Sequence, residues 1–365
     1  MFGLTGYYQK KMREMMKAIR LNAPNDFEYT DVPKPAAGEY EVLCRVESVS
    51  ICGTDPHIIQ GDFPGFWPQE FPLIPGHEWS GVVVALGDKA DCFGWKVGDR
   101  VCGIANLGCG HCKNCMEGRF TICLNYGNQK IHRMYGHISP GAYAEYIAVN
   151  IRSIAKIPDE MDFDTACVMD TLSIALHVVM HSHLEPGDDV LVNGAGAQGW
   201  MSIICCKSMG ARNIYCSGSG NRLEMAKKLG AIPIDYHKDD VVEAIMKYTA
   251  GKGVKRVMEC TGTSEGVRKA CWAVSRGGTI SVIGFPKEDV PIPIKHLVMD
   301  EIELVGNRAN PNTLDKAISI ASQHLEDVRG LITDVFPLSE YAKAYEVFTK
   351  RAGSSLKVVV KPQMK

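Results

Sequence analysis

With 365 residues, 45% of them hydrophobic and 22% charged, the chain has the composition of a folded protein large enough for two cores, which excludes a disordered chain. A formal net charge of −2 supplies no broad basic field, so nucleic acid is excluded as a general partner. The longest apolar runs, such as VLVNGAGA and TISVIGF, are strand-length and broken by glycine, well short of the roughly 20 residues of a membrane-spanning helix.

The first stretch, MFGLTGYYQKKMREMMKAIRL, carries basic residues but neither the apolar run nor the small-residue cleavage site of an export signal, so a cytoplasmic location is expected. Met16 offers a second start, which would make residues 1–15 an extension. Up to about residue 160, short β-rich segments (EVLCRVESVS, SGVVVALG, GDRVCGI, GAYAEYIAV) alternate with glycine and proline turns and predict an irregular, mostly antiparallel domain. From about residue 172, strands DVLVNGAG, NIYCSGS, KRVMECTG and TISVIGF alternate with helical stretches such as NRLEMAKKLG and DDVVEAIMKYTAG. That alternation predicts an α/β, doubly wound parallel sheet of the Rossmann kind. The last segment, from TLDKAISIASQHL to KVVVKPQMK, reads as helix then strand returning to the first domain. The expected division is residues 1–171 with 313–365 as one domain and 172–312 as a dinucleotide-binding domain.

Fourteen cysteines in a chain without an export signal are expected to stay reduced, and those in apolar runs, Cys44, Cys205, Cys206 and Cys271, read as small buried hydrophobes. GCGHCKNCMEGRFTIC is different. Cys109, Cys112, Cys115 and Cys123 follow C-x2-C-x2-C-x7-C within a lobe at residues 105–125, and turn-forming glycines allow the backbone to wrap one ion. Four thiolates suit tetrahedral zinc. An iron–sulfur cluster also takes four cysteines, but its ferredoxin-type run would end sooner and be followed by proline, where Leu124 stands. Four protein ligands close the coordination sphere, so this lobe is read as structural and the chemistry is expected elsewhere.

Upstream, CGTDPH contains Cys52, Thr54, Asp55 and His57, and PGHE follows with His77 and Glu78. With GDRV at residues 98–101, the four-cysteine lobe and a later glycine-rich turn, the chain resembles the zinc-dependent medium-chain alcohol dehydrogenases over residues 17–362. The polyol (sorbitol-like) and threonine dehydrogenase branch is the nearest. The resemblance implies a GroES-like catalytic domain beside the Rossmann domain, and a catalytic zinc held by Cys52, His77 and a third ligand at Asp170 in VMDTLSIALH. Should Asp170 instead cap its helix, Glu78 would take the third place. Three protein ligands leave the open position that catalysis needs, and two zinc ions per subunit are implied in all. It further implies that Thr54 hydrogen-bonds the substrate oxygen and passes its proton through the cofactor ribose to His57, with Asp55 and Glu78 orienting His77. Thr54 as a turn hydroxyl and His57 as a surface residue are the plainer alternatives.

DVLVNGAGAQGW places Gly194, Gly196 and Gly199 as G-x-G-x-x-G between strand and helix, the turn that cradles a dinucleotide pyrophosphate at a helix N-terminus. The resemblance adds Lys357 as a basic contact to the same phosphates, with a solvated lysine as the alternative. The strand that normally ends in Asp or Glu for the ribose 2′-hydroxyl ends here in Ser217, and no acidic residue occurs from 190 to 223. Arg222 follows. NADP(H) is therefore favoured over NAD(H).

Phe63, Phe66 and Trp67 in GDFPGFWPQEFP either line one wall of an interdomain cleft or only pack their loop, and LNYGNQKIHRMYGH offers a polar wall. Both walls together suit a polyol or cyclic polyol, or a bulky secondary alcohol such as a hydroxysteroid. A non-catalytic use of the fold is the third reading, and the intact Cys52, Thr54, His57 and His77 set argues against it. Unpaired apolar strand edges in TISVIGF and EIELVGN predict a homodimer or homotetramer.

Overall fold

In the computed structural model, which describes residues 14–350 and 355–364, EVLCRVESVS folds as the strand Glu41–Ser50 at the centre of the first sheet. It pairs antiparallel with Glu78–Leu86, Tyr146–Asn150 and Lys357–Lys361. Arg100–Gly103 and Ile154–Lys156 extend the sheet on one side, and Ile332–Pro337, parallel to Lys357–Lys361, closes the other. Because this strand is covered on both faces, its burial is nearly continuous: Val42, Cys44, Val46 and Val49 are fully buried. Trp79, Tyr143 and Val358 pack in the same core. Most of the proposed extension at residues 1–15 lies outside the described residues, and the first strand, Met15–Ala23, begins at its end.

The second sheet has six parallel strands in the order Ile232–Asp235, Asn213–Gly218, Asp189–Asn193, Val254–Glu259, Val274–Val282, Glu303–Gly306. The winding reverses at Asp189–Asn193, and such a switch point opens a crevice at the carboxyl ends of the strands. Local signals fix the connecting helices. Asp240 accepts from the amides of Val242 and Glu243 at the start of Val241–Tyr248, and Thr263 accepts from Gly266 at the start of Ser264–Ala273.

The helix Met169–His181 carries nine buried residues and shares a core with Ala197–Ser208 and Leu314–Gln323. After residue 313 the chain divides: Leu314–Gln323 packs in that core, while Ile332–Pro337 and Lys357–Lys361 join the antiparallel sheet. All fourteen cysteines are free. No helix among the described residues is long and apolar enough to cross a membrane.

Candidate active site and metal centres

The four-cysteine lobe is built by short-range backbone geometry. Gly110 and Gly118 adopt φ of +81° and +79°, turns that a residue with a Cβ resists. The Cys109 and Cys115 sulfurs lie 4.0 Å apart and those of Cys112 and Cys123 3.9 Å. A tetrahedron with ~2.3 Å metal–sulfur bonds has edges of about 3.8 Å, so the thiols present stand almost where one closed zinc site would hold them. Amides of Cys109, His111, Cys112 and Asn125 point at these sulfurs over 3.4–3.5 Å, and Asn125 Nδ2 reaches Cys109 Sγ at 3.2 Å. Burial by itself raises the Cys109 pKa, but these donors bring it down to about 6. Asn312 ties the lobe to the rest of the molecule by donating to the Gly118 carbonyl at 2.9 Å.

The second centre assembles donors from distant stretches. The strand Glu41–Ser50 runs into the turn bearing Cys52, and Pro56 opens the short helix Asp55–Gln60. Asp55 is fully buried. Its Oδ2 accepts from the Cys52 amide at 2.8 Å and from the Tyr143 hydroxyl at 2.6 Å, and its Oδ1 faces His77 Nδ1 at 3.7 Å. Burial raises the Asp55 pKa, against the opposing charge of His77. His77 precedes the strand Glu78–Leu86. Burial alone would lower its pKa, yet the sulfur of Cys52 and the carboxylates of Asp55 and Glu78 raise it to about 10. Such a surplus of negative charge is what a divalent cation satisfies. Cys52 Sγ, a His77 ring nitrogen and a Glu78 carboxylate oxygen all lie within 4.8 Å of one another, so the residues present fit a zinc ion.

Both oxygens of Glu78 have other partners. Oε2 accepts from Ser50 Oγ and Lys357 Nζ, and Oε1 from Thr171 Oγ1 at 2.8 Å. Burial would raise the Glu78 pKa, and the Lys357 ammonium instead holds it below the usual carboxylate value. Lys357 is itself only 2% exposed and also reaches the Ile51 carbonyl at 3.4 Å. Asp170 sits in the first turn of Met169–His181 but makes no cap bond there; its Oδ1 accepts from Asn310 Nδ2 at 2.7 Å. It lies outside the tight Cys52, His77 and Glu78 cluster yet within electrostatic reach of His77 and Glu78, and burial raises its pKa to about 6. Thr54 Oγ1 is buried with no protein partner. His57 is about one-third exposed, with Nδ1 held by Asp62 Oδ2 at 2.6 Å.

The glycine turn opens the crevice of the parallel sheet. Gly194 has φ +116°, and a Cβ at Gly199 would fall 1.8 Å from the Gly194 carbonyl oxygen, so the third glycine is what lets helix meet strand. A Cβ at Gly196 would meet nothing within 4 Å, because this position faces open space. The adjoining cavity, of about 850 Å³, is lined by Gly194, Gly196, Ser217, Ser219, Arg222 and Lys269 among others. Ser217 donates to Asn193 Oδ1 and accepts from the Gly194 amide at 3.2 Å, so its hydroxyl braces the glycine turn. Arg222 donates to the Ser355 carbonyl.

Aromatic rings connect the two domains above the second centre. Phe63 lies 5.5 Å from Trp67 and 5.8 Å from Phe285 of the nucleotide domain, and Phe66 stacks on Trp67 at 5.1 Å. Trp67 meets His137 at 5.0 Å, and His137 meets His77 at 4.4 Å. Burial holds the His137 pKa well below its ordinary value and lowers His132 to about 4. His137, Tyr143, Thr171 and Asn310 were not distinguishable in the sequence as parts of this centre. His137 lay inside the polar stretch after the lobe, Thr171 followed Asp170 in VMDTLSIALH without any signal of its own, and Tyr143 and Asn310 stand in runs with no motif.

Comparisons with known proteins give the chain's family. Residues 38–159 match the alcohol dehydrogenase GroES-like domain family and residues 198–323 the zinc-binding dehydrogenase family. The chain is 31% identical to the L-threonine 3-dehydrogenase of Proteus mirabilis (strain HI4320), over 94% of this chain and 99% of that protein. It is 30% identical to the sorbitol dehydrogenase of Bacillus subtilis (strain 168), over 95% and 97%. A Sinorhizobium meliloti 1021 protein assigned as a zinc-binding dehydrogenase, solved bound to NADP, superposes with a TM-score of 0.87 at 30% identity, covering 96% of this chain and all of that one.

Proposed function

The chain belongs to the zinc-dependent medium-chain alcohol dehydrogenase family, in the polyol and threonine dehydrogenase branch, and from that premise we propose that it oxidises a secondary alcohol of the polyol or cyclic polyol class with NADP(H). The observation that carries this reading is the convergence of Cys52 and His77 with two buried carboxylates, Glu78 within the cluster and Asp170 within electrostatic reach of it, beside the unpartnered Thr54 hydroxyl, under an aromatic wall shared by both domains. Zinc here would act as a Lewis acid toward the alcohol oxygen, while a nicotinamide cofactor accepts hydride. A second zinc would be held by Cys109, Cys112, Cys115 and Cys123.

The protein's own groups then have distinct tasks. Asp55, through its buried contact with His77, fixes the ring of that ligand. Asp170, anchored by Asn310, is the third ligand in our reading, with Glu78 held back by Lys357 as its alternate. Thr54 Oγ1 takes up the substrate hydroxyl's hydrogen bond, and His57, half-buried at the rim and fixed by Asp62, hands the proton to solvent. Gly194, Gly196 and Gly199 admit the cofactor pyrophosphate, which Lys357 also serves in our reading.

The preference for NADP(H) rests on the absence of a carboxylate at the end of Asn213–Gly218 and on Arg222 and the N-terminus of Gly220–Lys228 at the same cavity. The NADP-bound relative supports it. A bulky apolar alcohol such as a hydroxysteroid is the second reading, favoured by the exposed rings of Phe66 and Phe285. Turnover of polyols, inositols and hydroxysteroids with each cofactor tests both: activity rising with apolar bulk rather than hydroxyl count would replace the polyol assignment. A homodimer or homotetramer in the cytoplasm completes the proposal. Of the two expected edges only one is free: Val274–Val282, which holds most of TISVIGF, is paired on both sides, so the edge strand Glu303–Gly306 and the exposed Ile294, Val298 and Met299 are the mating surface in this reading. Sedimentation as a monomer at micromolar concentration would contradict it.

A further inference from the structure

Glu259 ends the strand Val254–Glu259 and is fully buried, with no cationic partner among the described residues. A carboxyl group so placed destabilises a fold unless hydrogen bonds compensate it, and here they tie two loops together. On one side its Oε1 accepts from the Thr261 amide at 3.0 Å and from the Thr261 hydroxyl, whose oxygen accepts in turn from the Thr263 amide at 3.1 Å. Thr263 caps the helix Ser264–Ala273, and Cys260, Thr261, Thr263 and Gly266 line the cavity beside the glycine turn. On the other side the Glu259 carbonyl accepts from the amides of Ile283 and Gly284, each at 3.0 Å. A Cβ at Gly266 would fall 2.7 Å from Glu259 Oε1 and one at Gly284 2.5 Å from Oε2, so both loops close directly on the carboxylate. Gly284 leads to Phe285, whose ring lies 5.8 Å from Phe63, and Phe63 lies 5.5 Å from Trp67.

We propose that Glu259 is a positioning residue: by holding loop 261–263 and loop 283–285 to one carboxyl group, it fixes the nucleotide wall and the aromatic wall of the cleft relative to each other. Glu259 does not itself line the cavity, so it acts through these loops and not on a reactant. Its main-chain carbonyl secures loop 283–285 whatever the side chain, but Gly284 rests on Oε2, so loss of the carboxyl group unseats both loops. Reaction between two bound partners needs their atoms aligned to within about 1 Å, and a misplacement of that size costs about a hundredfold in rate. What the two walls hold rests on the dehydrogenase reading; that one residue joins them does not.

The test reads each wall separately in zinc-loaded enzyme carrying 5-fluorotryptophan. Its five tryptophans give five fluorine resonances, and Trp67→Phe identifies the one that reports on Phe63 and Phe285. Calorimetric titration with NADP+, or with NAD+ should the wild type prefer it, reports on the nucleotide wall. Glu259→Leu should weaken cofactor binding about tenfold and shift the Trp67 resonance of the cofactor-free enzyme, and Glu259→Gln, which keeps the acceptor for Thr261, should restore both. Where Glu259→Leu does not fold, Thr261→Val, which removes one of the two donors, should move both readouts the same way by less. A change in only one readout, or lowered unfolding stability with both intact, would overturn the positioning role. So would a Glu259→Gln enzyme as impaired as Glu259→Leu, because the bond to Thr261 would then not be what matters. A wild type that binds neither cofactor removes the dehydrogenase reading, and the Trp67 resonance then decides by itself whether Glu259 holds the aromatic wall.

Discussion

The two candidate metal centres solve one problem, gathering electron-rich donors, by opposite routes. In the lobe all four donors come from fifteen consecutive residues, and the charge they accumulate is spread over backbone amides of the same turn. In the second centre Cys52, His77 and Glu78 converge from two separate stretches, Cys52 partly exposed and the other two buried with Asp55, Asp170 and Lys357. The lobe is therefore a self-contained clip. The second centre is a junction whose geometry depends on both sheets, which allows an open coordination position but makes every member sensitive to its neighbours.

Substitutions separate the two. The largest effect is expected for Cys52→Ser, which should lower kcat/KM at least about a thousandfold, since loss of Lewis-acid assistance removes several kcal/mol of transition-state stabilisation, while thermal unfolding changes little. Cys112→Ser should do the reverse to first order, costing one of two zinc ions and lowering the melting temperature. Atomic emission on both variants decides this: a Cys112→Ser protein with two zinc ions and wild-type stability would break the contrast.

Next comes the buried pair at the junction. Lys357→Met leaves Glu78 charged and uncompensated and should cost about 3–5 kcal/mol in denaturant unfolding. The half-exposed pair Lys361 with Asp164, on the same strand, is worth about 1 kcal/mol or less. A Lys361→Met variant, which breaks that pair, losing as much as Lys357→Met would mean that Glu78 is not anchored as the geometry indicates.

Ser217→Asp bears on the cofactor crevice, where local and tertiary determinants meet. It should shift relative affinity toward NADH by about tenfold to a hundredfold, through an added ribose acceptor and repulsion of a 2′-phosphate. A wild-type enzyme already preferring NADH in kcat/KM would remove the premise.

The smallest effect belongs to a contact outside both centres. Asp162 caps the helix Phe163–Cys167 by accepting from the Thr165 amide at 2.7 Å and pairs with Arg329. Burial raises its pKa in part, but the Thr165 amide and Arg329 prevail and hold it below the usual value. A depressed carboxylate pKa contributes stability that is present above the unfolded value near 4 and is lost as pH falls through the lower folded value. Asp162→Ala should cost about 1 kcal/mol at pH 7, and the gap to wild type should close below about pH 4. A gap that stays constant down to pH 2 would show that the carboxylate's charge is not what matters.

Features set by neighbours in the chain were legible from the residues alone. The C-x2-C-x2-C-x7-C spacing limits how far four sulfurs can separate, and G-x-G-x-x-G between a strand and a helix permits few backbone paths, so the lobe and the crevice followed from covalent reach and from the space a missing Cβ leaves. The alternation of strand and helix likewise predicted the parallel sheet, because its period of burial is written locally. Partner choice across the fold was another matter. Lys357 meets Glu78 across 279 positions, Asn310 holds Asp170 across 140, and Arg308 lies on Tyr126. Lys357 in GSSLKVVV reads as phosphate-binding or else solvated, and its ion pair with the buried Glu78 was not foreseen, since that outcome depends on what else is desolvated beside it. Only the packed structure decides that, because burial charges each polar group the cost of its lost water and leaves it the partners that the two sheets happen to bring within reach.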